Sequence, residues 1–165
     1  MENQRKLVKL SISVLLVLCM FFSLSMYSVE ASSILDEKQL TEEETDKDSS
    51  EDTNTPRTRS NYLNLGNIQI KRLASNECYV MGLTQAYKDC DMLYLDLVLE
   101  QKNNGSYSTY KTWSFTAANS SSLSRSINVL VPKNHYYRVK GYHAAKEGGI
   151  KESTTTQTKG VWIGD

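Results

Sequence analysis

The sequence predicts an all-β domain, a small antiparallel β-sandwich of about seven strands of the immunoglobulin or fibronectin kind, with a small β-barrel as the alternative. Three observations predict it. Residues 68–163 divide into short stretches of alternating apolar and polar residues, separated by turn signals at short spacing. The chain holds 10 Tyr and 2 Trp beside many Ser and Thr, side chains that pack on a pleated surface and lose rotamer freedom in helices. At 165 residues there is room for one modest core and no second one. Two facing sheets bury one apolar face per strand, and so does a closed sheet, which is why alternation does not separate sandwich from barrel.

Residues 1–31 read as a secretory signal peptide: Arg5, Lys6 and Lys9, an uncharged run from Leu10, then Val29 and Ala31 as the small residues before a cut. The alternative is a membrane anchor left uncleaved, because the uncharged run to Val29 reaches 20 residues. Cys19 makes a poor lipoprotein site, with Leu18 standing where a small residue belongs. Residues 32–66 follow as an acidic disordered linker. Between Ser32 and Pro56, nine acidic residues face only Lys38 and Lys47, and no aromatic is present to seed a core. From Arg57 onward, fourteen Lys and Arg stand against eight Asp and Glu, so the β-domain, residues 67–165, is cationic although the whole chain is neutral.

Within that domain, residues 68–74 alternate weakly and suggest an edge strand. Cys78, Val80, Gly82, Thr84 and Ala86 share one face of the next strand; Lys88–Asp91 reads as a turn. Leu93, Leu95, Leu97 and Leu99 then give the clearest period of two in the chain. Asn104–Gly105 is a two-residue hairpin signal, since both residues tolerate positive φ. The strand after it carries Tyr107, Thr109, Lys111, Trp113 and Phe115 in phase, residues 119–122 are polar turn material, and Leu123 to Val131 continues the alternation. Pro132 and Asn134 break the pattern, HYYRVKGYHAA forms a further strand, and a threonine-rich final strand ends at Val161–Ile163.

Reactive residues are scarce. His135 and His143 lie eight residues apart, roughly 26 Å in an extended strand, too far to share a metal. His143 is in phase with Val139 and Gly141, which suits a buried histidine with a hydrogen-bond partner. Asp96 and Glu100 sit four apart on a polar face and would flank a glycosidic bond only if the strand bent. Asp89 and Asp91 lack the looped oxygen run of a calcium site. No phosphate loop, nucleophile elbow or HExxH sequence is present. No cofactor and no metal site is therefore expected. Cys78 and Cys90, left after signal removal in an oxidising location, are expected to form a disulfide.

The informative surface is aromatic and basic. Tyr136, Arg138, Lys140 and Tyr142 alternate on one face of a strand, and Tyr107, Tyr110 and Lys111 lie on a second strand able to neighbour it. Rings stack on sugars while Lys and Arg take anionic groups, so these seven residues are the candidate binding patch.

The stretches YLDLVLEQKNNGSYSTYKTWSF, SLSRSINVLVPKNHYYRVKGYHAAKEGG and ESTTTQTKGVWI resemble the uncharacterised small secreted proteins of Gram-positive, clostridia-like gut bacteria. That resemblance implies secretion and a compact β-domain and carries no activity, ligand or catalytic residue. The expectation is a secreted or cell-surface binding module without catalysis, for a cell-wall polymer, glycan or extracellular protein. A secreted effector or membrane-active toxin and a hydrolase are the alternatives. Nucleic acid is a poor partner for an exported chain, and no membrane span remains once the signal is cut.

Overall fold

A computed structural model describes residues 42–56 and 60–165. The expected signal peptide, Cys19 and the first part of the expected linker lie outside the described residues. Among the described residues eight strands follow in order: β1 (Glu44–Thr45), β2 (Ser49–Asn54), β3 (Leu63–Ala74), β4 (Glu77–Asn103), β5 (Ser106–Leu130), β6 (His135–Glu147), β7 (Ile150–Gln157) and β8 (Gly160–Ile163).

The long β4–β5 hairpin organises everything else. Asn104 and Gly105 both take positive φ between the paired Asn103 and Ser106, as the two-residue turn requires. One edge of β4 carries β5 along its whole length; the other carries β3 on its first half and β6 on its second, all antiparallel. Between these halves the β4–β5 register skips from Gln85 opposite Ser122 to Cys90 opposite Ser120, so β4 holds more residues than β5 at that point. The buried positions of β4 switch there from even numbers, Cys78 to Ala86, to odd numbers, Leu93 to Leu99. Lys88–Asp91 is thus an irregularity inside one strand, where the sequence suggested a turn between two.

That irregularity folds the sheet over on itself. A Cβ on Gly82 would come within 2.7 Å of Leu97 Cδ2 of the same strand, and a Cβ on Gly66 in β3 would overlap the His143 ring of β6. Between the layers lie Leu63, Ile68, Ile70, Val80, Leu93, Leu95, Leu97, Leu99, Tyr137, Val139, Val161 and Ile163, all fully buried.

One side is sealed by side chains. Asp52 Oδ2 accepts the Gln157 backbone N–H at 2.8 Å, Asn54 Nδ2 donates to the Thr155 carbonyl at 2.9 Å, and Ser50 Oγ accepts the Lys159 N–H at 2.9 Å. The first two join β2 to the outer edge of β7, which pairs with β6, and the third joins it to the residue just before β8. The result is a nearly closed, barrel-like sheet, closer to the barrel alternative than to an immunoglobulin or fibronectin sandwich. The physical reason is strand length: β4 and β5 each belong to both layers, where a sandwich would divide them at turns.

Three further expectations are corrected. Part of the acidic stretch read as linker forms β2, because β3 offers it a complete antiparallel ladder from Ser49–Lys71 to Asn54–Gly66, and β1, which pairs parallel with β8 at Glu44–Gly160 and Thr45–Val161. Residues 68–74 are accordingly no edge strand, since β3 lies between β2 and β4. Cys78 and Cys90 are both buried and free. Eight extended residues, roughly 26 Å, separate Cys78 from Ala86 alone, whereas a disulfide holds its Cα atoms about 6 Å apart.

Candidate functional site

The outer face of the second layer follows from the registers. Asp96 pairs with Ser114 of β5 and Tyr142 of β6, and Tyr142 pairs with Thr155 of β7. The next row runs Thr112, Val98, Lys140, Gln157. Over these rows lies a hollow of about 530 Å³ lined by Asp52, Asp96, Val98, Lys140, Tyr142 and Gln157, among others. Lys151 Nζ sits 4.3 Å from the Tyr94 ring centroid and 5.3 Å from that of Tyr142, so an ammonium group rests on the aromatic rim.

The seven expected patch residues divide. Lys140 and Tyr142 line the hollow. Arg138 is buried, with Nε 2.7 Å from Glu100 Oε2, an NH1 nitrogen 3.6 Å from Glu43, and its guanidinium carbon 3.9 Å from the Tyr107 ring centroid. Tyr107 donates to Glu44 Oε1 at 3.0 Å, the same oxygen that Lys102 Nζ meets at 2.6 Å. Burial and that carboxylate both push the Tyr107 phenol up from its ordinary range. Tyr136 packs edge-on against Trp162 at 5.1 Å, Tyr110 against Tyr137 at 5.9 Å, and Lys111 covers the Trp113 ring at 5.6 Å. Their cations and rings are engaged within the fold, with Glu43 and Glu44 pinning the N-terminal strand over the Arg138 end of the face.

Glu100 belongs to that end. Burial would raise its carboxyl, but hydrogen bonds from Arg138 and from Lys140 at 3.0 Å outweigh it and hold the group below its usual range. It is therefore no partner for Asp96 across a substrate. Asp91 spends Oδ2 on the Gly148 N–H at 3.0 Å, bracing the β6–β7 turn. Among the described residues, no three His, Cys, Asp or Glu side chains are grouped so as to hold a metal ion.

His143 lies inside the fold. Nδ1 is 3.0 Å from Thr84 Oγ1 and Nε2 is 2.8 Å from Thr156 Oγ1. Thr84 uses its one hydroxyl proton on the Tyr94 carbonyl at 3.0 Å, so its oxygen accepts from Nδ1–H and leaves Nε2 to accept from Thr156. Burial pushes the imidazole down to about 4. This is a neutral, fully satisfied core histidine, as its phase with Val139 suggested.

A family model described as a family of unknown function (DUF6147) matches residues 32–161, more than half of the chain. The chain belongs to this family. No curated protein matches, and no solved structure matches. The match reaches into the acidic stretch, so in this DUF6147 member the segment that forms β1 and β2 falls within the family's extent. Among the described residues of the DUF6147 chain, no helix is long and apolar enough to cross a membrane.

Sequence reasoning missed Asp52 and Gln157 and named Asp96 only as a polar-face neighbour of Glu100. The alternation that placed Asp96 between Tyr94 and Val98 was a readable signal for it. For Asp52 there was none, because its neighbours in sequence are uniformly polar.

Proposed function

We propose that the chain is a secreted or cell-surface binding module without catalysis that takes a polyhydroxylated, glycan-type ligand in the hollow. The observation that carries the reading is the composition of that face: the Tyr142 ring beside Asp96, Lys140, Thr155 and Gln157 on adjacent strands. A ring offers a sugar an apolar platform, while carboxylate and amide groups accept and donate to its hydroxyls. Rigid strands hold these groups in fixed register, which lowers the ordering cost of binding. The test is co-sedimentation with Gram-positive cell walls at physiological salt, comparing the unaltered chain with Tyr142→Ala and Asp96→Ala. Saturable binding lost in both variants supports the module; binding that neither substitution weakens, or no binding at all, removes it.

One observation favours a hydrolase as the second reading: the carboxyls of Asp52 and Asp96 line the same hollow, and glycoside cleavage uses a pair of carboxyls on either side of the bond. Release of reducing ends from wall polymer, abolished by Asp96→Asn while sedimentation persists, would establish it.

A further inference from the structure

Among the described residues, β5 pairs with β4 alone, so the other edge of a strand 25 residues long carries no partner strand. Such an edge presents a row of backbone donors and acceptors, and proteins that stay monomeric blunt it with proline, inward charges or shortness. Between a bulge at Tyr110 and Asn119, which takes a positive φ, residues 111–118 form a regular edge with no proline and one charge, Lys111, whose ammonium is folded over Trp113. Trp113 and Phe115 are only half-buried, along the same margin.

We propose that β5 pairs edge to edge with β5 of a second copy, antiparallel about a two-fold axis through Ser114. This rests on no part of the ligand reading. The register is self-complementary: Trp113 meets Phe115 of the second copy and Thr112 meets Thr116, each twice by symmetry, and the ladder stops short of Tyr110, the extra residue of a bulge. Aromatic and threonine pairs of this sort are the favourable cross-strand combinations. Lys111 falls opposite Ala117, which leaves the two lysines about 20 Å apart, beyond the ~8 Å screening length of physiological salt. No acidic residue lies on β5, and an axis placed through Ala118 would set Lys111 directly opposite Arg125, whereas at the Ser114 axis Arg125, which covers the Phe115 ring at 5.6 Å, lies outside the paired stretch. Rows such as Ser114–Asp96–Tyr142–Thr155 then continue across the axis and put both hollows on one face.

The test uses the full chain with Cys19→Ser. In Ser114→Cys the two thiols face each other at the axis, within reach of a disulfide, and mild oxidation is expected to yield a covalent dimer, with Ser124→Cys on the far half of β5 linking poorly. Sedimentation equilibrium is expected to show a dimer that Ser114→Lys converts to monomer. A monomer at high micromolar concentration, or a dimer that Ser114→Lys leaves intact and in which position 114 links no better than 124, overturns the proposal.

Discussion

Gly82 and Leu97 lie fifteen positions apart on one strand and yet touch: a Cβ on the glycine would come 2.7 Å from Leu97 Cδ2 and 3.0 Å from Leu95 Cδ1. Only a strand folded against itself brings them together, and the space left by the missing side chain lets its halves close. Gly82→Val is therefore expected to destabilise the protein by about 1–3 kcal/mol through overpacking, although valine is the better strand former. Urea denaturation checks the sign, and a midpoint that rises would mean the two halves of β4 are not in contact.

His143 sets a pH dependence. Its imidazole titrates at about 4 in the fold against an ordinary value of 6.5, so between those values the unfolded chain binds a proton that the native one does not. Stability is complete above pH 6.5 and falls as pH drops toward 4, by about 3 kcal/mol over the whole window. Thermal midpoints between pH 7 and 4 should show this slope, and His143→Gln should flatten it.

Glu152 anchors the entry to β3. Its carboxylate accepts the backbone N–H groups of Asn61, Tyr62 and Leu63 at 2.9–3.0 Å together with the Ser60 hydroxyl. Burial would raise this group, but the four donors prevail and hold it at about 2. Its contribution is present above the ordinary value of 4.5 and is lost as pH falls toward 2, a lower window than that of His143. Glu152→Ala leaves these amides without an acceptor and is expected to cost about 1–3 kcal/mol. Hydrogen exchange at residues 61–63 should accelerate; unchanged protection there would discount the carboxylate.

The cysteines give a direct chemical readout. Burial, with Glu77 adding to it, pushes the Cys78 thiol up to about 12, and Cys90 is raised for the same first reason. Both should resist a thiol reagent in the native protein and react fully on unfolding, with a melting temperature indifferent to reductant. A melting temperature lowered by reductant would restore the disulfide that the structure removes.

Asp52 tests the seam between β2 and β7. Asp52→Ala removes the acceptor of the Gln157 N–H on an exposed edge, and a loss of about 0.5–1.5 kcal/mol is expected. Faster exchange of the Gln157 amide, with β4 unaffected, would locate the loss at the seam.

Much of this was legible in the residues. Leu93 to Leu99 announced a core strand because a period of two is a local property of a pleated chain, and Asn104–Gly105 announced its hairpin because positive φ is a property of two residues. His143 announced its burial through its phase with Val139. The shift of buried positions from even in Cys78–Ala86 to odd in Leu93–Leu99 was visible too, but a change of phase is equally the mark of a turn between strands and of a bulge within one.

The sequence by itself determined an all-β domain, its core positions and its tightest turn, since these depend on neighbours one to four residues away. The tertiary structure alone decided that β4 and β5 run through both layers, that part of the acidic stretch pairs with β3, that the two cysteines lie too far apart to bond, and that Arg138 and Tyr107 are covered by Glu43 and Glu44 while Asp96 and Tyr142 line a hollow. Each of those depends on which residues a bend brings together across dozens of positions, and that is set by packing and long-range pairing, not by any local alternation.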